Sequence, residues 1–199
     1  MKPGGKPDPF TARAHKEGFA ARSVYKLEEI DRRCKLLRPG LRVLDLGAAP
    51  GSWTQWMATK LGGKGSIVAV DLNPLRVTVP PFVKAMELDV MAAPLDDFAA
   101  LGPFDLVVSD MAPHTSGTKE ADAAISAELV DRALDIGDRC LVPGGNLVAK
   151  IFQGAEFEAV RKRFRERFET VKLIKPEASR KESVEIFLVG LSRKAAATP

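Results

Sequence analysis

The chain has 199 residues, 45% of them hydrophobic and 28% charged, with a formal net charge of +4; this suits one globular domain with a full core and excludes a disordered or fibrous composition. Cys34, Cys140, His15 and His114 are the only cysteines and histidines and show no metal-ligand spacing, so no metal site and no disulfide framework is expected. No apolar run approaches the ~20 residues that span a bilayer, and the opening Met-Lys-Pro-Gly-Gly-Lys-Pro-Asp-Pro lacks the apolar core of a secretion signal, so a reduced, cytoplasmic protein with no membrane partner is expected.

In chain order, residues 1–10 read as a flexible basic arm, 11–194 as one domain and 195–199 as a frayed tail. Residues 11–36 read mostly as helix, with Ser23 a candidate N-cap and Tyr25, Leu27, Ile30 and Cys34 along one side. Arg22 and Lys26 are four apart and share a face. Leu41–Leu46 is an apolar run of the kind found in a buried parallel strand, Gly47–Gly51 a tight turn, and Ser52 onward a helix packed through Trp53, Trp56, Met57 and Leu61. Ser66–Val70 is a second strand ending at Asp71, and Val83–Leu88 a third ending at Asp89. Phe104–Ser109 is a fourth strand, followed by a loop from Asp110 to Lys119. Ala121–Leu141 is a long helix, Pro143-Gly144-Gly145 a turn and Asn146–Phe152 a fifth strand. Gly154–Phe168 is an amphipathic helix with Arg161, Lys162, Arg163, Arg165 and Arg167 on its polar side. Thr170–Ile174 and Ser183–Leu191 are the last strands. Seven strands alternating with helices make an α/β fold, a Rossmann-like sheet with helices on both faces.

The glycine turn is not the dinucleotide type. Ala49 takes the place of the second glycine of that fingerprint, and Pro50 removes an N–H where a phosphate would want one. Asp71, about 20 residues on at the end of the second strand, stands where such folds grip a ribose diol. A phosphate-free nucleoside carrying a sulfonium, S-adenosylmethionine, fits this reading best; a plain strand–helix turn is the alternative. Asp89 is either an acceptor for an adenine amino group or a turn residue. Asp110 lies beyond the carboxyl end of a strand, where ligands of open α/β sheets bind, although a turn Asp is common there. Lys150 sits inside an apolar strand, so its amine either snorkels to water or is held in a site. Glu185, flanked by Val184 and Ile186, needs water or a cation.

Charge is unevenly spread. Residues 1–42 hold 11 Lys/Arg against 5 Asp/Glu, residues 43–160 hold 8 against 16, and residues 161–199 hold 11 against 5. The basic ends are a footprint for a polyanion if they share one side, and solvated surface otherwise.

Tyr25-Lys-Leu, Asp45-Leu-Gly-Ala-Ala-Pro-Gly-Ser-Trp, Ser109-Asp-Met-Ala-Pro, Val148-Ala-Lys-Ile-Phe-Gln-Gly and Ser183-Val-Glu-Ile, in that order, resemble the FtsJ-like RNA ribose 2′-O-methyltransferases from about Phe10 to Lys194. Ser52 stands where relatives usually carry glycine, and Asn73–Lys84 departs from the usual sequence. The resemblance implies a class I S-adenosylmethionine-dependent methyltransferase with a mostly parallel seven-stranded sheet. It implies a catalytic set of Lys26, Asp110, Lys150 and Glu185. It also implies cofactor binding around Gly47, Ala49, Pro50, Gly51, Ser52, Trp53, Asp71, Asp89 and Asp110. The implied substrate is a uridine 2′-hydroxyl in large-subunit (23S) ribosomal RNA, with S-adenosylhomocysteine as product. Transfer RNA ribose and a non-catalytic RNA-binding assembly role are the alternatives.

Lys150 is the expected general base. An amine accepts a proton only when neutral; burial and a second cation, Lys26, favour that state, and the two carboxylates oppose it. RNA contacts are expected from Arg22, Arg161 and Arg165, with Tyr25 stacking on a base or packing in the core. A monomer without an obligate protein partner is expected.

Overall fold

The computed structural model describes residues 8–113, 116–180 and 182–195. His114, Thr115, Lys181, most of the expected basic arm and the tail from residue 196 lie outside the described residues.

Seven strands form one sheet: β1 (Arg42–Leu46), β2 (Ser66–Asp71), β3 (Val83–Glu87), β4 (Phe104–Ser109), β5 (Leu141–Phe152), β6 (Phe168–Ile174) and β7 (Glu185–Arg193). Their order is β3-β2-β1-β4-β5-β7-β6, and only β7 runs antiparallel to its neighbours. From β1 the chain winds outward to β3, then returns to the other side of β1 as β4. That reversal opens a crevice beyond the carboxyl ends of β1 and β4. Because β7 is antiparallel, its first residue, Glu185, lies at the same end of the sheet as the last residues of β4 and β5.

Helices cover both faces. α2 (Val24–Cys34) and α3 (Ser52–Leu61) bury Leu27, Ile30, Trp53, Met57 and Leu61 on one face. α4 (Leu95–Leu101), α5 (Lys119–Cys140) and α6 (Phe157–Arg167) bury Phe98, Val130, Ala133, Val160 and Phe164 on the other. Val148 and Phe187 belong to the α2–α3 face. By the two-residue period of a strand, Lys150 and Glu185 point to that same face.

Several boundaries differ from expectation. The segment 11–36 is two helices, α1 (Pro9–Lys16) and α2. Gly18, at φ 79°, ends α1: its N–H donates to the His15 carbonyl and that of Phe19 to the Ala14 carbonyl, a Schellman stop. Asp8 caps the start of α1, its side chain accepting from the Thr11 N–H, so the helix begins at Pro9 rather than at residue 11. Ser23 makes no side-chain cap, because its hydroxyl is taken by Ser52. α5 starts two residues early, α6 starts late at Phe157, and β6 begins at Phe168. β5 already pairs at Leu141; the pairing then skips from Phe104–Leu141 to Leu106–Asn146, so the Pro-Gly-Gly turn is a bulge within one strand. The short α4 had no counterpart in the sequence reading.

Candidate active site

The loop after β1 is set by close backbone contacts. Gly47 has φ 73°, donates its N–H to the Val70 carbonyl at 2.9 Å, and would place a Cβ 2.7 Å from Met111 Cγ and 3.0 Å from the Met111 backbone. Both the backbone conformation and the space therefore require glycine. Ala49 N–H donates to Asp71 Oδ2 at 3.0 Å, and Asp71 Oδ1 accepts from Asn73 N–H at 2.8 Å, so one carboxylate ties the loop to the end of β2. Asp89 Oδ1 accepts from Met91 N–H at 2.8 Å, which makes it a turn residue. Arg132 of α5 steadies that turn by donating to the Val90 and Ala93 carbonyls.

These ties enclose a cavity of about 270 Å³ whose lining brings together Gly47, Ala49, Asp71, Asp89 and Asp110. The sequence reading missed Leu72, Asn73, Val90, Met91, Met111, Ala112 and Leu129, which line it too. Leu72 and Met91 are large apolar side chains left exposed at its edge. Their only sequence signal is position: each follows closely on an acidic residue at a strand end.

The second half of the loop faces away from this cavity. The Pro50 carbonyl accepts from Arg76 N–H at 3.0 Å. Gly51, at φ 114°, fits against Val77, whose methyl a Cβ would strike. Ser52 Oγ lies 2.8 Å from Ser23 Oγ. Trp53 donates from Nε1 to the Ser23 carbonyl at 2.8 Å and packs its ring on Phe187. The side chains of Ser52 and Trp53 thus dock α3 on α2, and what they can offer a ligand is the backbone N–H of a helix start.

Behind the loop stands Asp45, fully buried. Thr54 Oγ1 donates to its Oδ2 at 2.7 Å, while Oδ1 has no hydrogen-bond partner among the described residues. Burial, aided by the Asp110 and Asp71 charges, outweighs the Thr54 bond and pushes this carboxyl up to about 7.

Next to the cavity two ion pairs meet. Lys150, 7% exposed, donates from Nζ to the Asp110 carbonyl at 2.7 Å and lies 2.9 Å from Asp110 Oδ1. That carboxylate oxygen is buried and off the line of a hydrogen bond, so its attraction to the ammonium is coulombic while the main-chain oxygen fixes the direction of the amine. Lys26 Nζ lies 2.6 Å from Glu185 Oε1. Burial alone would push the Glu185 carboxyl up, but Lys26, with Lys150 beyond it, outweighs burial and holds it below its ordinary range. In the β5–β7 pairing Lys150 faces Phe187 and Phe152 faces Glu185, which makes Lys150 and Glu185 diagonal neighbours. Lys26 reaches them from α2. Asp110 belongs to both assemblies, as cavity wall and as partner of Lys150.

The residues expected to contact RNA do not gather. Tyr25 is 4% exposed; its hydroxyl donates to Glu17 Oε2 at 2.9 Å, Phe10 packs on its ring and the Arg13 guanidinium lies 4.3 Å from the ring centroid. Core packing, not base stacking, accounts for it. Arg22 is held by the Asp8 carboxylate and the Ala178 carbonyl. Arg163 pairs with Asp131 and Arg167 with Asp138, fastening α6 to α5. Arg161 pairs with Glu158 of its own helix. Arg165 is exposed near the end of α6, where Lys194 Nζ donates to its carbonyl, at the opposite end of the sheet from Lys150.

The profile of the FtsJ-like methyltransferases matches residues 19–193. The chain belongs to this family. Proteins called ribosomal RNA large subunit methyltransferase E are among its FtsJ-like relatives: one from Sorangium cellulosum is 50% identical over 191 residues, 96% of this chain and 90% of that protein. Another from Nitratidesulfovibrio vulgaris is 49% identical over 187 residues, covering 92% and 93%. Among solved structures, a ribosomal RNA methyltransferase from Plasmodium falciparum superposes with a TM-score of 0.78 at 23% identity, over 89% of this chain and all of that one. At that identity the likeness shows the fold, the Rossmann-like sheet of class I methyltransferases. The chain is thus a methyltransferase. No described helix is long and apolar enough to cross a membrane, and among the described residues no His, Cys, Asp and Glu side chains cluster as metal ligands would.

Proposed function

We propose that this FtsJ-like protein transfers a methyl group from S-adenosylmethionine to a ribose 2′-hydroxyl of large-subunit ribosomal RNA, a uridine of 23S RNA. The observation that carries this reading is the double use of Asp110, which walls the nucleoside-sized cavity and also orients the buried Lys150 amine. The names of the relatives support the RNA substrate.

The residues present fit the cofactor. Asp71 and Asp89 offer acceptors to a ribose diol and an adenine amino group, and the exposed apolar Leu72 and Met91 suit the flat base between them. The three carboxylates that line the cavity, Asp71, Asp89 and Asp110, suit a cationic ligand and oppose one bearing phosphates. S-adenosylmethionine, when bound, supplies a methyl group already activated by its sulfonium.

The protein then has two tasks. One is positioning, which accounts for ~7–11 kcal/mol in favourable intramolecular reactions. The other is to take the proton from a weakly acidic hydroxyl. Lys150 Nζ, pointed by the Asp110 carbonyl, is the group that takes it, and the Lys26–Glu185 pair beside it holds the ribose. With S-adenosylmethionine held along the Asp71 and Asp89 walls, its methyl would pass from sulfur to the ribose oxygen, with S-adenosylhomocysteine as the leaving group and the hydroxyl proton kept at Lys150. All four polar groups come from one chain, in keeping with a monomer.

The test is methyl transfer from labelled S-adenosylmethionine to intact large subunits, free 23S RNA and transfer RNA, followed by mapping of the 2′-O-methyl group. Label on a large-subunit ribose is expected. Label on transfer RNA alone overturns the substrate, and no label on any RNA overturns the reading.

A further inference from the structure

We propose that a hollow beside the reaction centre seats a phosphodiester group of the substrate strand flanking the target ribose, with Arg180 as its contacting cation. This rests on the RNA reading above. The hollow, about 290 Å³, is lined by Arg22, Ser23, Lys26, Arg180, Ser183 and Glu185, with Ala178. Lys26 and Glu185 form its inner wall, so whatever enters it lies against the catalytic cluster. A ribose whose 2′-hydroxyl meets Lys150 carries a phosphate on its neighbouring 3′ oxygen and another on its 5′ oxygen, only a few bonds away.

The charges of the wall are not equally available. Lys26 is neutralised by Glu185, and Arg22 is spent on Asp8 and on the Ala178 carbonyl. Arg180 is exposed and has no carboxylate within ion-pair distance among the described residues. Ser183 Oγ accepts from Glu185 N–H at 3.2 Å, which leaves its own O–H to donate into the hollow. A guanidinium without a partner, backed by a hydroxyl donor, is the chemistry that recognises a phosphate.

The loop that carries Arg180 is fixed at three points. Arg22 donates to the Ala178 carbonyl, Glu29 Oε2 accepts from Glu177 N–H at 2.8 Å, and Ala178 is buried against Val24 and Tyr25. Arg22 is therefore a positioning residue: it places the loop, and Arg180 makes the contact. This also explains why the basic residue nearest Lys26 in sequence is not free to bind RNA itself.

The test compares Arg180→Gln and Arg180→Lys with wild type, using large ribosomal subunits for methyl transfer and 23S RNA for equilibrium binding across a salt series. Arg180→Gln is expected to raise KM for the subunit about tenfold with kcat and S-adenosylmethionine affinity unchanged. The slope of log affinity against log salt is expected to become shallower by about 0.7–0.9, one phosphate contact. Arg180→Lys restores part of both. Lys84→Gln, an exposed charge at the far edge of the sheet, changes neither. A wild-type KM and salt slope in Arg180→Gln, or an equal change in Lys84→Gln, overturns the inference. If wild type itself methylates no RNA, the functional reading fails instead, and the salt slope, which needs no turnover, still decides on Arg180.

Discussion

Lys26 Nζ and Glu185 Oε1 stand 2.6 Å apart, joining a helix that precedes the first strand to the last strand along the chain. Both side chains are largely buried, so removing one charge strands the other. Glu185→Gln is expected to cost about 2–4 kcal/mol at pH 7, toward the lower part of the range for broken buried pairs because each side chain keeps some exposure. Since the folded protein holds the Glu185 carboxyl below its unfolded value near 4.5, its contribution is present above that pH and is lost as pH falls through the folded value. Denaturant titrations of wild type and variant should therefore converge on acidification. A gap that persists unchanged to pH 3 would place its origin elsewhere.

Lys150 carries the chemistry if the mechanism is right, and Lys150→Ala separates chemistry from binding. The variant is expected to lose methyl transfer by about 10²–10⁴-fold, the range for a positioned general base. Its S-adenosylmethionine affinity should stay within a few-fold, because the Asp71 and Asp89 walls are untouched. Single-turnover transfer and calorimetric titration measure the two separately. A transfer rate within tenfold of wild type would remove the lysine from the proton-transfer step.

Much of this site could be read from residue order alone, for a physical reason. Asp71, Asp110 and Lys150 sit at or near the carboxyl ends of apolar strands, and an open parallel sheet gathers those ends on one side whatever the loops do. Glu185 joins them because β7 reverses direction, which a strand pattern by itself does not announce. The arginines were less legible. A charge count cannot distinguish Arg180, unpaired among the described residues, from Arg22, Arg163 and Arg167, each held by a carboxylate far away in sequence. The break between α1 and α2 had a local signal, Gly18, hidden inside an otherwise helical run. α4 is only seven residues long and presents a single fully buried side chain, Phe98, too little periodicity to register.

Asp45 makes a pH-dependent prediction of the opposite sign to Glu185. Its folded value of about 7 lies above the ordinary 3.8 of an aspartate, so the native state binds the proton more tightly than the unfolded chain. The resulting stability is fully present below pH 4 and is lost as pH rises through 7, at up to about 1.4 kcal/mol per pH unit. Asp45→Asn keeps an oxygen for the Thr54 hydroxyl and removes the titration. Melting temperatures of the two proteins between pH 4.5 and 8.5 should show the variant gaining on wild type as pH rises. A constant offset across that range would mean that Asp45 does not titrate there.

Two arginines of α6 are assigned to packing, and this too can be checked. Arg163 Nε donates to Asp131 Oδ1 at 2.7 Å and Arg167 Nε to Asp138 Oδ2 at 2.7 Å, both across the α5–α6 seam. These pairs are partly exposed, so each is worth at most about 1 kcal/mol. The double variant Arg163→Gln/Arg167→Gln is expected to melt a few degrees lower while binding 23S RNA within about twofold of wild type. Its salt slope should equal that of wild type, because no phosphate contact has been removed. If RNA affinity falls tenfold with the melting temperature unchanged, α6 belongs to the RNA-binding surface and the strand must run across the α5–α6 face as well as the catalytic end of the sheet.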